Sequence, residues 1–324
     1  MIKVGILGCA SIAKKSLIPA FAEHADFELA FIGSRDKKKA EEIAKSCACA
    51  CDFGTYEDAT NSNVDLVYIP LPNALHFEWT TNALAAGKHV LCEKSLGVSL
   101  SEVKEMVGLA EQNNLLLLES FQWRFHAQTQ EVREIVNSGV LGDIRCFRSS
   151  FGFPPFPDGT ANIRYKKELG GGALLDAGAY TVKAATEMLG ADFTVKASSL
   201  RHEKNCDVDV GGAAFLENSK GVVAEVAFGF DNYYQCNYEF WGSKGKLTVN
   251  RAFTAPPGFT PTAVLETASG VKTMQLSQDN AFIKLLDYAS NILYTNDQRL
   301  MAEENKNNLV QSTLLNRMLD LSNG

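Results

Sequence analysis

The sequence predicts an α/β protein: an N-terminal Rossmann unit, which is a doubly wound parallel sheet, followed by an α+β domain on a large, mostly antiparallel open sheet. Short apolar strands alternate with amphipathic helical stretches over the first 120 residues, as in parallel βαβ units. A glycine turn joins the first strand to the first helix. After residue 120, strand-like stretches separated by short turns dominate, which is typical of an antiparallel sheet. The predicted domains are therefore residues 1–120 and 121–324.

Composition excludes several classes of partner. The 324 residues are 46% hydrophobic and 21% charged, which is ample material for two globular domains. The formal net charge of -7 argues against nucleic acid and anionic membranes as partners, because both require a basic surface. No apolar run is long enough to cross a bilayer, and the first residues lead directly into a strand. We therefore predict a cytoplasmic protein.

The eight cysteines favour neither disulfides nor a metal site. Most lie in apolar, strand-like stretches of a chain without a secretory signal, which indicates reduced core thiols. Cys47, Cys49 and Cys51 alternate and would share one face of a strand, but no second Cys or His cluster nearby completes four ligands. We predict no metal.

The first strand is followed by a tight turn and a helical pattern. A dinucleotide fingerprint requires glycine at the turn, glycine where the backbone approaches the pyrophosphate, and a small residue where helix meets strand. These positions are Gly8, Ala10 and Ala13. Ala10 departs from the strict form, which has glycine there. Its methyl group is tolerated if the pyrophosphate lies slightly further from the backbone, where the amides of Ser11 and Ile12 still donate to the pyrophosphate. The stretch predicts dinucleotide binding.

The end of the second strand indicates which dinucleotide. A carboxylate there would bind the ribose hydroxyls of NAD and repel a phosphate. Ser34 and Arg35 stand in that place, with Lys39 on the following helix, and a guanidinium matches the 2′-phosphate of NADP. These residues favour NADP. NAD stays possible, because Arg35 can instead stack on adenine.

Lys94 is the predicted chemical centre. Residues 87–92 form a buried-strand pattern that ends at Glu93 and Lys94, so the amine projects from the carboxyl edge of the sheet, where open α/β sheets bind ligands.

The preceding strand ends at the same edge. It breaks at Pro70 and Leu71, and Asn73 caps a helix with His76 in its first turn. These four residues are cofactor-binding candidates, although a capping or packing role for His76 is an equal alternative.

The second predicted domain begins with a crossover that contains Trp123 and Arg124, which either packs between domains or contacts ligand. A glycine run then leads to Asp176 and Tyr180, which are four residues apart and stack on one face of a helix. The alternative is a capping Asp176 and a half-buried Tyr180. We predict a helix over 128–137 and strands over 144–153, 193–200, 208–216, 222–231, 235–241 and 246–249, with a further pair within 263–276.

The order of these motifs resembles the glucose-fructose oxidoreductase / inositol dehydrogenase / rhizopine-catabolism (Gfo/Idh/MocA) oxidoreductases over nearly the whole chain. The motifs are residues 8–13, Ser34-Arg35, Pro72-Asn73 with His76, Glu93-Lys94-Ser95, Trp123-Arg124-Phe125 and the glycine run. In that family the lysine motif ends in proline, associated with a cis bond that aims the lysine, whereas this chain has Ser95. The tyrosine at position 180 resembles the branch of dimeric dihydrodiol dehydrogenase and some sugar dehydrogenases and ketoreductases. The resemblance also implies a homodimer or homotetramer, formed through the open sheet face.

The resemblance implies the following chemistry. Hydride transfer to a carbonyl requires a proton and positive charge beside the developing alkoxide. Tyr180 is the expected proton donor, with a pKa lowered from about 10 by the Lys94 ammonium, which also binds the reacting oxygen. Asp176 and Arg164 orient substrate hydroxyls, although Arg164 can equally pin its loop by a salt bridge. Glu93, Trp123 and Arg124 lie near the nicotinamide.

We therefore predict an NAD(P)-dependent oxidoreductase, NADP preferred, acting on a hydroxyl or keto group of a sugar or sugar derivative. Nucleotide sugars and cyclic polyols are both possible substrates. One alternative is a non-catalytic dinucleotide sensor on the same scaffold, against which Lys94 and Tyr180 argue. Another is a dehydratase-like eliminating enzyme.

Overall fold

The computed structural model describes residues 1–47 and 51–322. The chain forms two compact units, Met1–Phe121 with Phe282–Leu309, and Gln122–Ala281 with Val310–Gly324. Residues 282–309, which the sequence analysis assigned to the second domain, thus belong to the first unit. The physical reason is long-range packing: Leu309 lies against the apolar core of the first unit, a contact that no local pattern encodes. The predicted alternation of cysteines falls partly outside the described residues, because Cys49 is not among them.

Six parallel strands form the sheet of the first unit: β1 (Ile2–Leu7), β2 (Phe27–Gly33), β3 (Asp52–Gly54), β4 (Leu66–Ile69), β5 (His89–Glu93) and β6 (Leu117–Ser120). Their order is β3-β2-β1-β4-β5-β6. This is the doubly wound order in which the switch point lies between β1 and β4. Strand β3 was not predicted from the sequence, because it is only three residues long and carries two exposed side chains.

Helices cover this sheet: α1 (Ile18–Glu23), α2 (Lys37–Ser46), α3 (Tyr56–Asn61), α4 (His76–Ala85) and α5 (Leu100–Asn113). A π-helical turn over Ala13–Leu17 precedes α1, and a 3₁₀ turn over Asn73–Leu75 precedes α4. The α4 helix therefore begins at His76, three residues later than the predicted Asn73 cap. Local caps define other starts, since the side chain of Asp36 accepts from Lys38 N at 3.0 Å and Thr55 forms a capping box with Asp58.

The second unit contains α6 (Ala127–Asn137), α7 (Ala179–Leu189) and eight strands. They are β7 (Ile144–Gly152), β8 (Thr194–His202), β9 (Asp209–Glu217), β10 (Val223–Gly229), β11 (Gln235–Gly242), β12 (Gly245–Asn250), β13 (Thr262–Thr267) and β14 (Gly270–Gln275). The order is β14-β13-β12-β11-β7-β10-β9-β8, with every neighbouring pair antiparallel except β7 and β10. Short 3₁₀ turns cover Gln122–Phe125, Gly159–Ala161, Ile163–Tyr165 and Lys167–Leu169.

The eight-stranded sheet has two chemically different faces. Helix α7 and a π-helical turn over Leu174–Gly178 pack on β7 and β10. The other face carries an ion-pair row, in which Arg148 pairs with Glu225 and Glu239 while Lys246 pairs with Glu266. Helices α8 (Ala281–Thr295) and α9 (Gln298–Ser322) complete the chain. No helix among residues 1–47 and 51–322 combines the length and apolar character that a bilayer span requires.

Candidate active site

The turn after β1 is shaped for a close ligand. Gly8 has φ of +120°, which favours glycine, and a Cβ there would lie 2.8 Å from Leu71 Cδ2. The first helical hydrogen bond runs from Lys14 N to Ala10 O at 3.1 Å, so the amides of Ser11 and Ile12 belong to the first turn, and both residues are exposed. This glycine cradle at a helix start fits the pyrophosphate of a dinucleotide.

The carboxyl end of β2 carries the predicted ribose-reading residues. Ser34 is buried, and its Oγ accepts from Asp36 N at 3.2 Å. Arg35 is exposed and hydrogen-bonds Tyr56. Burial raises the pKa of the Tyr56 phenol, and the Arg35 guanidinium opposes that effect. Lys39 is exposed and contributes positive charge near Cys9, whose pKa is raised chiefly by burial. The strand end thus presents cations and a hydroxyl, which suits a ribose phosphate.

Lys94 follows β5 directly, at the carboxyl edge of the sheet, and is half-buried. The Lys94–Ser95 peptide bond is cis. Among the other predicted residues of this edge, Pro70 is buried while Leu71 and Asn73 are half-buried. The structure therefore brings the Lys94 loop and the loop after β4 to one edge of the sheet, as the sequence predicts.

His76 has a different environment from the predicted one. It is fully buried, with Nδ1 2.7 Å from Ser95 O and Nε2 2.8 Å from Leu71 O. Both ring nitrogens thus face backbone carbonyls. Burial lowers the pKa of His76 to about 4, and the nearby Lys94 ammonium acts in the same direction. Its predicted contact with the cofactor stays a prediction, to which this geometry gives no support.

Glu93 is part of a hydrogen-bonded group beneath Lys94. Its Oε1 accepts from the Tyr68 hydroxyl at 2.8 Å, and Ser120 lies opposite it on the paired strand β6. Burial raises the pKa of the Glu93 carboxyl, while Tyr68 and Lys94 oppose that effect. Tyr68 was not predicted as a site residue, although a phenol within an otherwise aliphatic central strand is a sequence signal for a polar contact.

In the second unit, Asp176 and Tyr180 do not occupy one regular α-helix. Asp176 lies in the π-helical turn and Tyr180 in the first turn of α7, so the predicted α-helical stacking is wrong in detail. Arg164 Nε pairs with Asp176 Oδ2 at 2.7 Å, as the loop-pinning alternative predicts. The Tyr180 ring is half-buried and packs edge to face on Phe151 with centroids 5.1 Å apart.

Trp123 and Arg124 are buried within the second unit. Trp123 packs edge to face on Phe253 at 5.3 Å, and Arg124 Nε pairs with Glu187 Oε2 at 2.8 Å. Glu187 also pairs with Arg133. Their predicted role beside the nicotinamide stays a prediction.

Asp209, which the sequence analysis did not single out, supports the segment that carries Asp176 and Tyr180. Its Oδ2 accepts from Leu174 N at 2.7 Å, and a Cβ at Gly172 would lie 2.4 Å from its Oδ1. Burial raises the pKa of Asp209 to about 6 in spite of these hydrogen bonds. The only sequence signal is a carboxylate at the start of an apolar strand.

We expect Asp209→Asn to change how stability depends on pH. Because the pKa of Asp209 is raised in the folded state, the folded protein binds this proton more tightly than the unfolded chain does. The stabilisation that the proton provides is therefore lost as pH rises from about 4 to 6. Chemical denaturation across this range should show the free energy of unfolding of wild type falling, relative to Asp209→Asn, by on the order of 2 kcal/mol. Parallel curves for the two proteins would contradict the assignment.

Comparisons with known proteins agree with this geometry. Residues 2–121 match the model of an oxidoreductase family with an NAD-binding Rossmann fold, and residues 129–248 match the GFO/IDH/MocA C-terminal domain. The chain is 41% identical over 255 residues, covering 79% of this chain and 76% of its relative, to a dTDP-3,4-didehydro-2,6-dideoxy-alpha-D-glucose 3-reductase of Saccharopolyspora spinosa. It is 37% identical over 254 residues, covering 78% and 77%, to D-xylose 1-dehydrogenase (NADP(+)) 2 of Haloferax volcanii.

A solved structure is similar over the full length. KijD10, a 3-ketoreductase from Actinomadura kijaniata in complex with NADP and TDP-benzene, superposes with a TM-score of 0.93 at 36% identity, covering 98% of this chain and 97% of that one. The predicted fold class and NAD(P)-dependent oxidoreductase function are therefore confirmed, and the sensor alternative is not supported. On the evidence of its two sheets, its glycine turn and these matches, the chain belongs to the Gfo/Idh/MocA family of oxidoreductases.

Proposed function

We propose that this protein is an NADPH-dependent reductase of a keto group on a nucleotide-linked sugar, working in the cytoplasm. The observation that carries the proposal is the position of Lys94, a half-buried amine at the carboxyl end of β5 in a scaffold similar to reductases of dTDP-linked keto sugars. Structures of KijD10 include variants in which a lysine is replaced by alanine or glutamate and a tyrosine by phenylalanine. Those are the residue types of Lys94 and Tyr180.

The residues of the first unit would hold the dinucleotide. The Gly8 turn and the amides of Ser11 and Ile12 suit the pyrophosphate, and Ser34 and Arg35 suit the ribose phosphate. When bound, the nicotinamide supplies the two electrons of the reduction. The ammonium of Lys94 would then stabilise negative charge that develops on the substrate oxygen.

Side chains of the second unit would complete the chemistry. The Tyr180 hydroxyl would give its proton to the oxygen of the substrate, and the packed rings of Phe151 and Phe253 hold the phenol in place. The Asp176 carboxylate is held by Arg164 and would orient a substrate hydroxyl by accepting a hydrogen bond from it. Positioning by an ion pair reduces the rotamer freedom that the site must lose on binding.

The experiment that tests this function follows nicotinamide absorbance with a panel of keto sugars. The panel contains dTDP-linked 3-keto and 4-keto deoxysugars, the same sugars without the nucleotide, and free aldoses. We expect turnover with NADPH and the nucleotide-linked keto sugars. Turnover confined to free aldoses would reject the proposed substrate class, and no turnover with any carbonyl compound would reject the proposed reductase.

We expect Arg35→Ala to weaken NADPH binding while leaving NADH binding nearly unchanged. The guanidinium is exposed at the end of β2, where it would pair with the 2′-phosphate. Loss of such a charge-assisted contact costs about 1.5–3 kcal/mol, or roughly tenfold to a hundredfold in Kd. Fluorescence titration of the two dinucleotides measures this, with Lys37→Ala as a matched control because Lys37 pairs with Asp58. Equal losses for NADPH and NADH would contradict the assignment.

We further propose that the ion-pair face of the eight-stranded sheet meets a second copy of the chain. Strand register places Trp241, Phe215 and Val271 on the same face as Arg148, and these three side chains are 50%, 40% and 70% exposed. Exposed apolar side chains that are flanked by polar and charged residues mark protein–protein interaction sites, and Trp and Arg are enriched in interfaces. The family resemblance favours the same face.

Light scattering over a concentration series tests the interface. Wild type should have the mass of a dimer or tetramer, and Trp241→Lys should shift the mass towards the monomer, because the new ammonium would be buried beside the cations of Arg148 and Lys246. Tyr294→Lys, at a side chain that is 57% exposed in the first unit, is the control. A monomeric wild type would contradict this proposal.

A further inference from the structure

Three loops meet around one buried imidazole at the carboxyl edge of the first sheet. His76 Nδ1 lies 2.7 Å from the carbonyl oxygen of Ser95, and its Nε2 lies 2.8 Å from that of Leu71. Leu71 in turn fills the space where Gly8 lacks a side chain, with 2.8 Å between Leu71 Cδ2 and a Cβ built on Gly8. The imidazole thus lies between the loop that carries Lys94 and the loop that packs on the glycine turn.

We propose that His76 is a positioning residue that holds Lys94 in its working orientation by donating a hydrogen bond to the Ser95 carbonyl. This inference rests on the proposed function of Lys94. Ser95 directly follows Lys94, so an anchored Ser95 carbonyl restricts the path that the backbone of Lys94 takes as it leaves β5. A misplacement of about 1 Å in a catalytic group can cost on the order of 10²-fold in rate.

The surroundings of His76 separate this role from direct binding. The side chain is fully buried, and both ring nitrogens face backbone oxygens, so no polar ring atom points to a ligand. Burial and the neighbouring Lys94 ammonium lower the pKa of the imidazole to about 4, so the ring is neutral at physiological pH. A neutral ring has one N–H and donates to one carbonyl at a time.

Substitutions of His76 by asparagine and by glutamine distinguish which of the two carbonyl contacts is needed for turnover. The amide nitrogen of asparagine takes approximately the place of Nδ1, and that of glutamine the place of Nε2, so each restores one of the two contacts. If the Ser95 contact carries the effect, His76→Asn retains turnover and His76→Gln does not. His76→Leu removes both contacts while keeping an apolar side chain in the buried site.

A second histidine of the same unit provides a matched control. His89 Nδ1 accepts from Leu116 N at 2.9 Å, at the opposite end of β5 from Lys94. His89→Leu therefore removes a partly buried histidine hydrogen bond from the same strand without touching the Lys94 loop. A merely structural role of His76 predicts similar behaviour for His76→Leu and His89→Leu once folded protein is compared.

The experiment measures kcat, KM and the Kd of NADPH for full-length wild type, the His76 variants, His89→Leu and Lys94→Ala, with the active sugar from the panel. We expect His76→Leu and His76→Gln to lower kcat by about 10²-fold and His76→Asn by less than about tenfold, with Kd for NADPH changed less than about threefold. A crystal structure of His76→Leu should show the Ser95 carbonyl displaced.

Several outcomes overturn the inference. These are unchanged kcat in His76→Leu, rescue by glutamine rather than asparagine, or a loss confined to the Kd of NADPH. Lys94→Ala separates this inference from the function on which it rests. If Lys94→Ala keeps full turnover, the proposed function itself fails, whereas loss in Lys94→Ala with normal His76→Leu rejects the positioning role alone.

Discussion

Lys94→Ala should lower kcat by about 10²–10³-fold while leaving the Kd of NADPH within about threefold of wild type. The amine lies at the carboxyl end of β5, apart from the glycine turn that would hold the pyrophosphate. The proposed role of the Lys94 amine is to stabilise the negative charge that develops on the substrate oxygen only while the carbonyl is reduced. Removal should therefore act on kcat rather than on KM.

Lys88, which directly precedes β5, provides a control for Lys94, which directly follows it. Lys88 precedes β5, and its Nζ donates to Ser62 O at 3.0 Å at the amino end of the strand. Lys88→Ala removes the same charge from the same unit and should keep kcat within about threefold of wild type, because a charge contribution falls with distance and solvent screening. Equal losses in the two variants would show that net charge, rather than position, explains the Lys94 effect.

Tyr180→Phe should lower kcat by about 10²–10³-fold, because it removes the hydroxyl that is the proposed proton donor and keeps the aromatic ring. The phenylalanine ring keeps the packing on Phe151 and Phe253, whose centroids lie 5.1 and 5.6 Å from that of Tyr180. The free energy of unfolding should consequently change little. Steady-state kinetics with the active sugar and thermal unfolding measure the two effects separately.

Tyr238→Phe is the matched control for Tyr180. Tyr238 belongs to the same group of rings, 6.1 Å from Phe253, and within the described part of the chain its buried hydroxyl makes no hydrogen bond. Loss of that hydroxyl should leave kcat unchanged and stabilise the fold slightly, since no buried polar atom is then left without a partner. If Tyr180→Phe turns over as fast as Tyr238→Phe, the proton donor is another group.

Local pattern explains why much of the first unit was predictable. Buried strands separated by amphipathic helices allow few arrangements once the chain must form right-handed crossovers, so the parallel sheet and its ligand-binding edge follow from the order of elements. The same logic located Lys94, because a residue directly after a buried parallel strand must lie at the carboxyl edge. The short edge strand β3 has no apolar run and was missed.

The hydrogen-bond and ion-pair partners of individual side chains were less predictable than the positions of the strands and helices. His76 was a plausible cofactor contact from sequence, yet two backbone carbonyls face its ring, and backbone atoms carry no residue-type signal. Arg164 had two open interpretations, which the 2.7 Å pair with Asp176 resolves in favour of the salt bridge in this structure. The π-helical turn that contains Asp176 was not predicted either, because hydrogen-bond register depends on packing as well as on spacing.

The amino-acid sequence by itself determined the succession of strands and helices, the glycine turn and the strand-end lysine, since each depends on residues within a few positions of one another. Only the tertiary structure decided that residues 282–309 return to the first unit, that β7 pairs in parallel with β10, and that Asp209 supports the Asp176 segment. Each of these joins groups far apart along the chain. Such contacts form because they bury apolar surface or satisfy a buried polar group, and local periodicity does not specify which distant partner does so.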